Sequence, residues 1–176
     1  MKTKNKRGFT LIELLAVIVI LAIILIIAIP SVTGLIDDAK KDSFLSTARM
    51  MKSAARLYTA NEANVVLPTT QGHAIVIMGD ELNMDNMGKN PDGDTYDPAN
   101  SYIVIAANAS GSYDYYVTLL SAGANSRGLY VVPIDALTRA DVFGDKAAEN
   151  VVAPAAGTWT YDGTNELTID KVYNGT

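Results

Sequence analysis

Twenty-three consecutive residues, 14–36, carry no charge, and one carboxylate, Glu13, stands at their start. A helix needs about 20 apolar residues to cross a bilayer core, so this run is long enough to span one. As a straight helix it reaches about 34 Å at 1.5 Å per residue. An isolated charge beside such a run is expensive, because an ion taken out of water must be paired or neutralised. An ionisable group placed there points to function, with a partner to be named.

The residues before the run sharpen this. Lys2, Lys4, Lys6 and Arg7 are basic and no acid accompanies them. The positive-inside bias keeps this end in the cytoplasm and sends the bulk of the chain outside. An ordinary secretory signal has an apolar core of about 7–15 residues and a small-residue cleavage site after it. Here the run is longer, no A-x-A-like site follows, and the small residue, Gly8, precedes the run. A cut at Gly8 removes the basic leader and retains the apolar helix.

The order Gly8, Phe9, Thr10, Leu11, Ile12, Glu13 behind a short basic leader, with Pro30 further along the apolar helix, resembles the class III signal of type IV pilins. The resemblance covers about residues 6–60. It implies an α+β pilin fold, with a long N-terminal helix, half of it transmembrane, packed on an antiparallel β-sheet head. It implies that a prepilin peptidase cuts between Gly8 and Phe9 and that Phe9 becomes an N-methylated N-terminus. Glu13 would then compensate the Phe9 amine of a neighbouring subunit during assembly. The implied partners are further copies of the chain in a helical homopolymer, a pilus assembly platform with its ATPase machinery, and the cytoplasmic membrane before assembly. The implied final location is an extracellular filament.

Elementary electrostatics agrees with these roles. A carboxylate near a helix N-terminus gains about 0.3–1 kcal/mol from the helix dipole. Between subunits, a buried polar pair can set register, as it does in some coiled coils. Pro30 removes one helix hydrogen bond and its ring meets the carbonyl of Ile26. A kink or local melting is therefore expected over residues 26–30, with Gly34 adding softness.

The helix is expected to continue past residue 36, because 37–61 contain neither Pro nor Gly. Phe44, Ala48, Met51, Ala55 and Tyr58 recur at alternating steps of four and three, the stripe of a helix docked on a core. The expected organisation is a leader at 1–8, a membrane and filament-core helix at 9–36, its amphipathic continuation at 37–62 and a β-rich head at 63–176. A helix over 9–61 spans roughly 80 Å.

In the head, strands are expected at 74–78, 101–107, 113–120, 129–132, 158–161 and 166–172. Gly111-Ser112 is a turn between the second and third, and Asp162-Gly163 a hairpin signal between the last two. Residues 134–143 are expected to form a short helix, with Asp135 near its start and Gly144 after its end. Residues 78–100 read as loop with one helical turn. A long helix followed by short strands is the order of an α+β domain.

The chain has 14 basic and 19 acidic residues, and loss of the leader leaves ten basic against the same 19. That balance argues against general nucleic-acid binding, which needs a basic footprint. It suits filaments that must stay soluble. There is no cysteine. Many Gram-negative pilins close a C-terminal loop with a disulfide, so this departure favours a Gram-positive source. No catalytic motif is present, and no cofactor or catalytic residue is expected. His73, the only histidine, is expected to be structural, since metal sites need several donors. Asp92, Asp94 and Asp97 lack the spacing of an EF-hand loop and are expected to build a turn, with Ca²⁺ binding the alternative. Asn108-Ala109-Ser110 and Asn174-Gly175-Thr176 match the glycosylation sequon. The aromatics Tyr113, Tyr115, Tyr116, Trp159 and Tyr161 suit strands and contacts between subunits.

Two other functions fit the same N-terminus. One is a pseudopilin of a type II secretion or DNA-uptake system. The other is an uncleaved, membrane-anchored monomer acting as an adhesin or enzyme, which would gain nothing from Glu13.

Overall fold

The structure, a computed structural model, describes residues 8–123, 127–144, 153–161 and 164–174. The chain falls into two compact units, Met1–Ala39 and Lys40–Thr176. A helix, α1 (Leu11–Asn61), supplies all but residues 8–10 of the described part of the first unit and the opening element of the second. It remains helical through Pro30, so the expected local melting over residues 26–30 is not found. The Thr33 hydroxyl donates to the Pro30 carbonyl at 3.0 Å, giving that oxygen a local partner. Within the first unit the large apolar side chains from Phe9 to Ile36 are exposed.

The second unit is built on six strands, β1 (His73–Met78), β2 (Tyr102–Ala107), β3 (Tyr113–Leu120), β4 (Gly128–Pro133), β5 (Gly157–Thr160) and β6 (Glu166–Tyr173). They form one sheet in the order β4-β3-β2-β1-β6-β5. All six lie where apolar runs bounded by turn residues place them. The turn after β2 forms as expected, with Gly111 at φ +75° and the Asn108 N–H donating to the Ser112 carbonyl. Asp162-Gly163 lies outside the described residues, but the two strands it was expected to join pair antiparallel.

One expectation about the sheet is corrected. It is mixed rather than antiparallel throughout, because β6 runs parallel to β1, with Ile75 opposite Lys171 and Val76 opposite Val172. β2 follows β1 as an antiparallel neighbour and occupies one edge of it. β6 takes the other edge after a long excursion of chain, the kind of crossover parallel pairing requires.

Residues 134–143 also differ from expectation. They form two separate 3-10 turns, Ile134–Ala136 and Arg139–Asp141, not one helix. Thr138 is extended and caps the second turn, its N–H and hydroxyl both donating to Asp141 Oδ2 at 2.7 Å. That cap starts one turn and so stops the other. Two further 3-10 turns, Gly79–Leu82 and Met84–Met87, occupy the segment read as loop with one helical turn.

The core has two layers. The stripe of α1 in this unit behaves as expected: Phe44, Ala48, Met51 and Ala55 are fully buried and Tyr58 is half-buried. They pack with Ile75, Ile77, Ile103, Ile105, Val117 and Leu119 from the strands. The alternate residues, Ala74, Val76, Tyr102, Val104 and Ala106, form a second cluster with Leu167 and Ile169. Both faces of the central strands are thus buried, which is why β1 and β2 read as continuous apolar runs. Tyr116 on β3 meets Tyr161, just after β5, with ring centroids 5.1 Å apart, and Trp159 lies 5.5 Å from Tyr161. Three strands separate β3 from β5 in the sheet. The ring contact therefore means that the sheet curls over its second face.

Candidate functional site

The candidate site begins with Gly8, Phe9 and Thr10, which precede the first helical residue. A side chain built at Gly8 would meet nothing within 4 Å. Packing within the chain therefore does not account for a glycine there. Phe9 is 90% exposed.

Thr10 is the cap of α1. Its backbone N–H and its hydroxyl both donate to Glu13 Oε2 at 2.8 Å. In return Glu13 N–H donates to Thr10 Oγ1 at 3.3 Å. Ser or Thr followed three residues later by Glu is the capping box, in which two groups at a helix start satisfy each other. The helix therefore begins at Leu11, two residues later than expected, with Thr10 bonded to Glu13 just ahead of it. Glu13 is thus not a free acid in this chain. Both Thr10 donors use one carboxylate oxygen, Oε2, and neither goes to Oε1. Thr10 belongs to the motif already named, and the structure adds its role as the cap of α1. Its signal was present as Thr-x-x-Glu directly before an apolar run.

Beyond Glu13 the site is an uninterrupted apolar surface. Among the described residues, those from Leu11 to Ile36 present their large side chains to the outside. The helix is long and apolar enough to cross a membrane. Pro30 and Gly34 lie along it, and a side chain at Gly34 would also meet nothing within 4 Å. The arrangement offers one carboxylate at the head of an apolar rod.

The other sequence candidates lie in the second unit. His73 Nδ1 lies 2.7 Å from Asp170 Oδ1 on the adjacent strand, a contact that ties β1 to β6. Asp92 is nearly buried and bridges two cations, Lys40 Nζ at 2.8 Å and Arg127 Nε at 2.5 Å. Burial pushes the Asp92 carboxyl up, but the Lys40 and Arg127 hydrogen bonds outweigh this and hold it below the usual carboxylate range. Asp97 caps Asn100 through both oxygens. Asn90 organises the loop, its Oδ1 accepting from the N–H groups of Asp92 and Asp94. The acids thus sit in the expected turn, and among the described residues no three His, Asp or Glu side chains converge as metal ligands. The Asn108 side chain is engaged within its turn, donating to Asp114 and accepting from Ser110 and Ser112. Gly175 and Thr176, which complete the second sequon, lie outside the described residues.

Residues 3–29 match the family described as the prokaryotic N-terminal methylation motif. That motif is the class III signal of type IV pilins, so the chain carries a prepilin-like N-terminus. It points to a structural protein, and it implies processing by a prepilin peptidase and pilus assembly. No curated protein and no solved structure matches the chain.

Proposed function

We propose that this chain is the structural subunit of a type IV pilus, inserted in the cytoplasmic membrane with its N-terminus inside and then polymerised through its N-terminal helix. The observation that carries the reading is the methylation motif at residues 3–29 continued by an exposed apolar helix. Cleavage falls between Gly8 and Phe9, and Phe9 is N-methylated. The new amine of one subunit pairs with Glu13 of a neighbour, since a carboxylate taken into an apolar bundle needs a compensating charge. The apolar rods exchange lipid contacts for one another, and Pro30 and Gly34 let each rod bend as it packs. The acidic excess left after leader loss keeps finished filaments apart in solution. An assembly platform and its ATPase supply the work. The lack of cysteine fits a Gram-positive source.

The test is mass spectrometry of surface filaments together with Glu13→Val. The expected result is an N-methylated Phe9 terminus, and a Glu13→Val chain that is cleaved but assembles poorly. Filaments beginning at Met1, or normal yield from Glu13→Val, would refute the proposal. Short assemblies confined to the cell envelope would identify a pseudopilin instead.

A further inference from the structure

The two neighbours of β6 cover it unequally. β1 accompanies it to its end, with Ile75 opposite Lys171, Val76 opposite Val172 and Ile77 opposite Tyr173. β5 accompanies it only from Glu166 to Ile169, where the pairing stops at Gly157. Backbone groups of a strand point to alternate sides, so residues 170–173 turn part of their N–H and C=O groups away from β1. Among the described residues no strand meets them there. The gap has a cause in the sequence. Gly157 sits at φ +120°, a conformation left to glycine, and there the chain parts from β6. The residues before it are Ala153, Pro154, Ala155 and Ala156. The alanines offer only methyl groups, and Pro154 has no N–H to lend a ladder. Between this segment and residues 170–172 lies a cavity of about 490 Å³.

The lining says what fits. Met78 and Val172, which pack with the second core layer, also line the cavity and give it an apolar floor. The two charges at its rim are engaged within the chain. Asp170 holds His73 Nδ1 at 2.7 Å, and Lys171 Nζ stands 4.6 Å from the centre of the Tyr173 ring. The cavity therefore offers a strand edge above an apolar floor, not an unmatched charge. A row of backbone donors and acceptors at strand spacing is matched by extended polypeptide, which adds as a further strand and seats alternate side chains in the pocket beneath. Four residues of such a strand span about 13 Å. The other edge of this sheet is a poor candidate for the role in a second copy. It is β4, which carries a bulge, holds Val131 at φ +47° and ends in Pro133. Bulges and prolines are devices that keep an edge from pairing.

We infer that the uncovered edge of β6 at residues 170–173 takes up an extended, uncharged segment of a different polypeptide, with that segment's alternate apolar side chains over Met78 and Val172. The test follows amide hydrogen exchange of the full chain in detergent by NMR. In the chain alone, the amides of 170–173 that point away from β1 should exchange faster than those of 166–169. A short synthetic peptide of alternating valine and threonine should slow them about tenfold. The same peptide N-methylated on alternate backbone nitrogens keeps its side chains, loses donors, and should bind about tenfold less tightly. Ala155→Trp fills the cavity from an exposed position and should abolish the protection without moving the thermal transition, whereas Ala155→Ser should preserve it. In intact cells, a photo-crosslinking amino acid at Ala156 should link to a different protein, and the valine–threonine peptide should compete that link away. Uniform protection of β6 before any addition, equal binding of the two peptides, protection at β4 instead, protection that survives Ala155→Trp, no link, or a link to a second copy of this chain would each overturn the inference. None of these outcomes touches the filament reading.

Discussion

Replacing Asp92 with Asn tests how the loop between β1 and β2 is held to the rest of the second unit. The carboxylate joins Lys40 on α1 to Arg127 at the entry to β4, across 52 and 35 residues of sequence respectively. The Asp92 side chain is 8% exposed, the Arg127 side chain 14% and the Lys40 side chain 35%. Removing one member of a buried ion pair typically costs about 3–5 kcal/mol, because the remaining charge loses its compensation. Lys40 is hydrated enough to recover part of that loss, so a value of ~2–3 kcal/mol is expected here. For a unit of this size the melting temperature should fall by about 5–10 °C. The assay is thermal and urea unfolding of the full chain in detergent, followed by near-ultraviolet circular dichroism. The pH dependence provides an internal check. The folded carboxyl is held below its ordinary value, so its stabilisation is complete above about pH 4 and is lost as pH falls through the folded value. The gap between parent and Asp92→Asn should therefore close in acid. A gap below ~0.5 kcal/mol at neutral pH, within the usual scatter of surface changes, or one unaffected by acid, would refute the argument.

Other consequences are as specific. Thr118 is fully buried and its hydroxyl accepts the Val131 N–H at 3.1 Å, where β4 bulges and Val131 adopts φ +47°. Thr118→Val strands that N–H and should cost about 1–3 kcal/mol in urea unfolding, whereas Thr118→Ser should retain most of the stability. A side chain at Gly128 would lie 2.4 Å from the Phe143 ring, so Gly128→Ala should destabilise by about 1–3 kcal/mol in the same assay. Thr10→Val removes the hydroxyl that donates to Glu13 Oε2 and accepts the Glu13 N–H. Hydrogen exchange at the amides of Leu11 to Glu13 should accelerate several-fold in micelles, matching a loss of about 1 kcal/mol. Unchanged protection would show that the cap contributes nothing to the helix start.

Much of this architecture could be read from local pattern. The alternation of Ala74, Val76 and Met78 with Ile75 and Ile77 marks β1, and the four-and-three spacing from Phe44 to Tyr58 marks the docked face of α1. The direction of β6 was not legible, because its partner β1 lies about a hundred residues earlier and either orientation satisfies the same alternation. The Asp92 bridge was equally hidden, since neither cation is near it in sequence. The break at Thr138 overrode a helical pattern because a side chain competed successfully for the backbone. In the candidate site Gly8, Phe9 and Glu13 stood out through the unusual placement of charge. Thr10 was legible as part of the motif, whereas its bond to Glu13 at the helix start was not drawn from the spacing.

The placement of β6 has a bearing on how the head matures. Among the described residues the strand latest in the sequence is an interior one, seated between β1 and β5. It contributes Ile169 to one core layer and Tyr173 to the other. A nascent chain halted before residue 166 would leave β1 with a bare edge and β5 without a neighbour. Closure of the sheet therefore waits until residues 166–173 have been synthesised, and until then the open edge of β1 is a template for pairing with another chain.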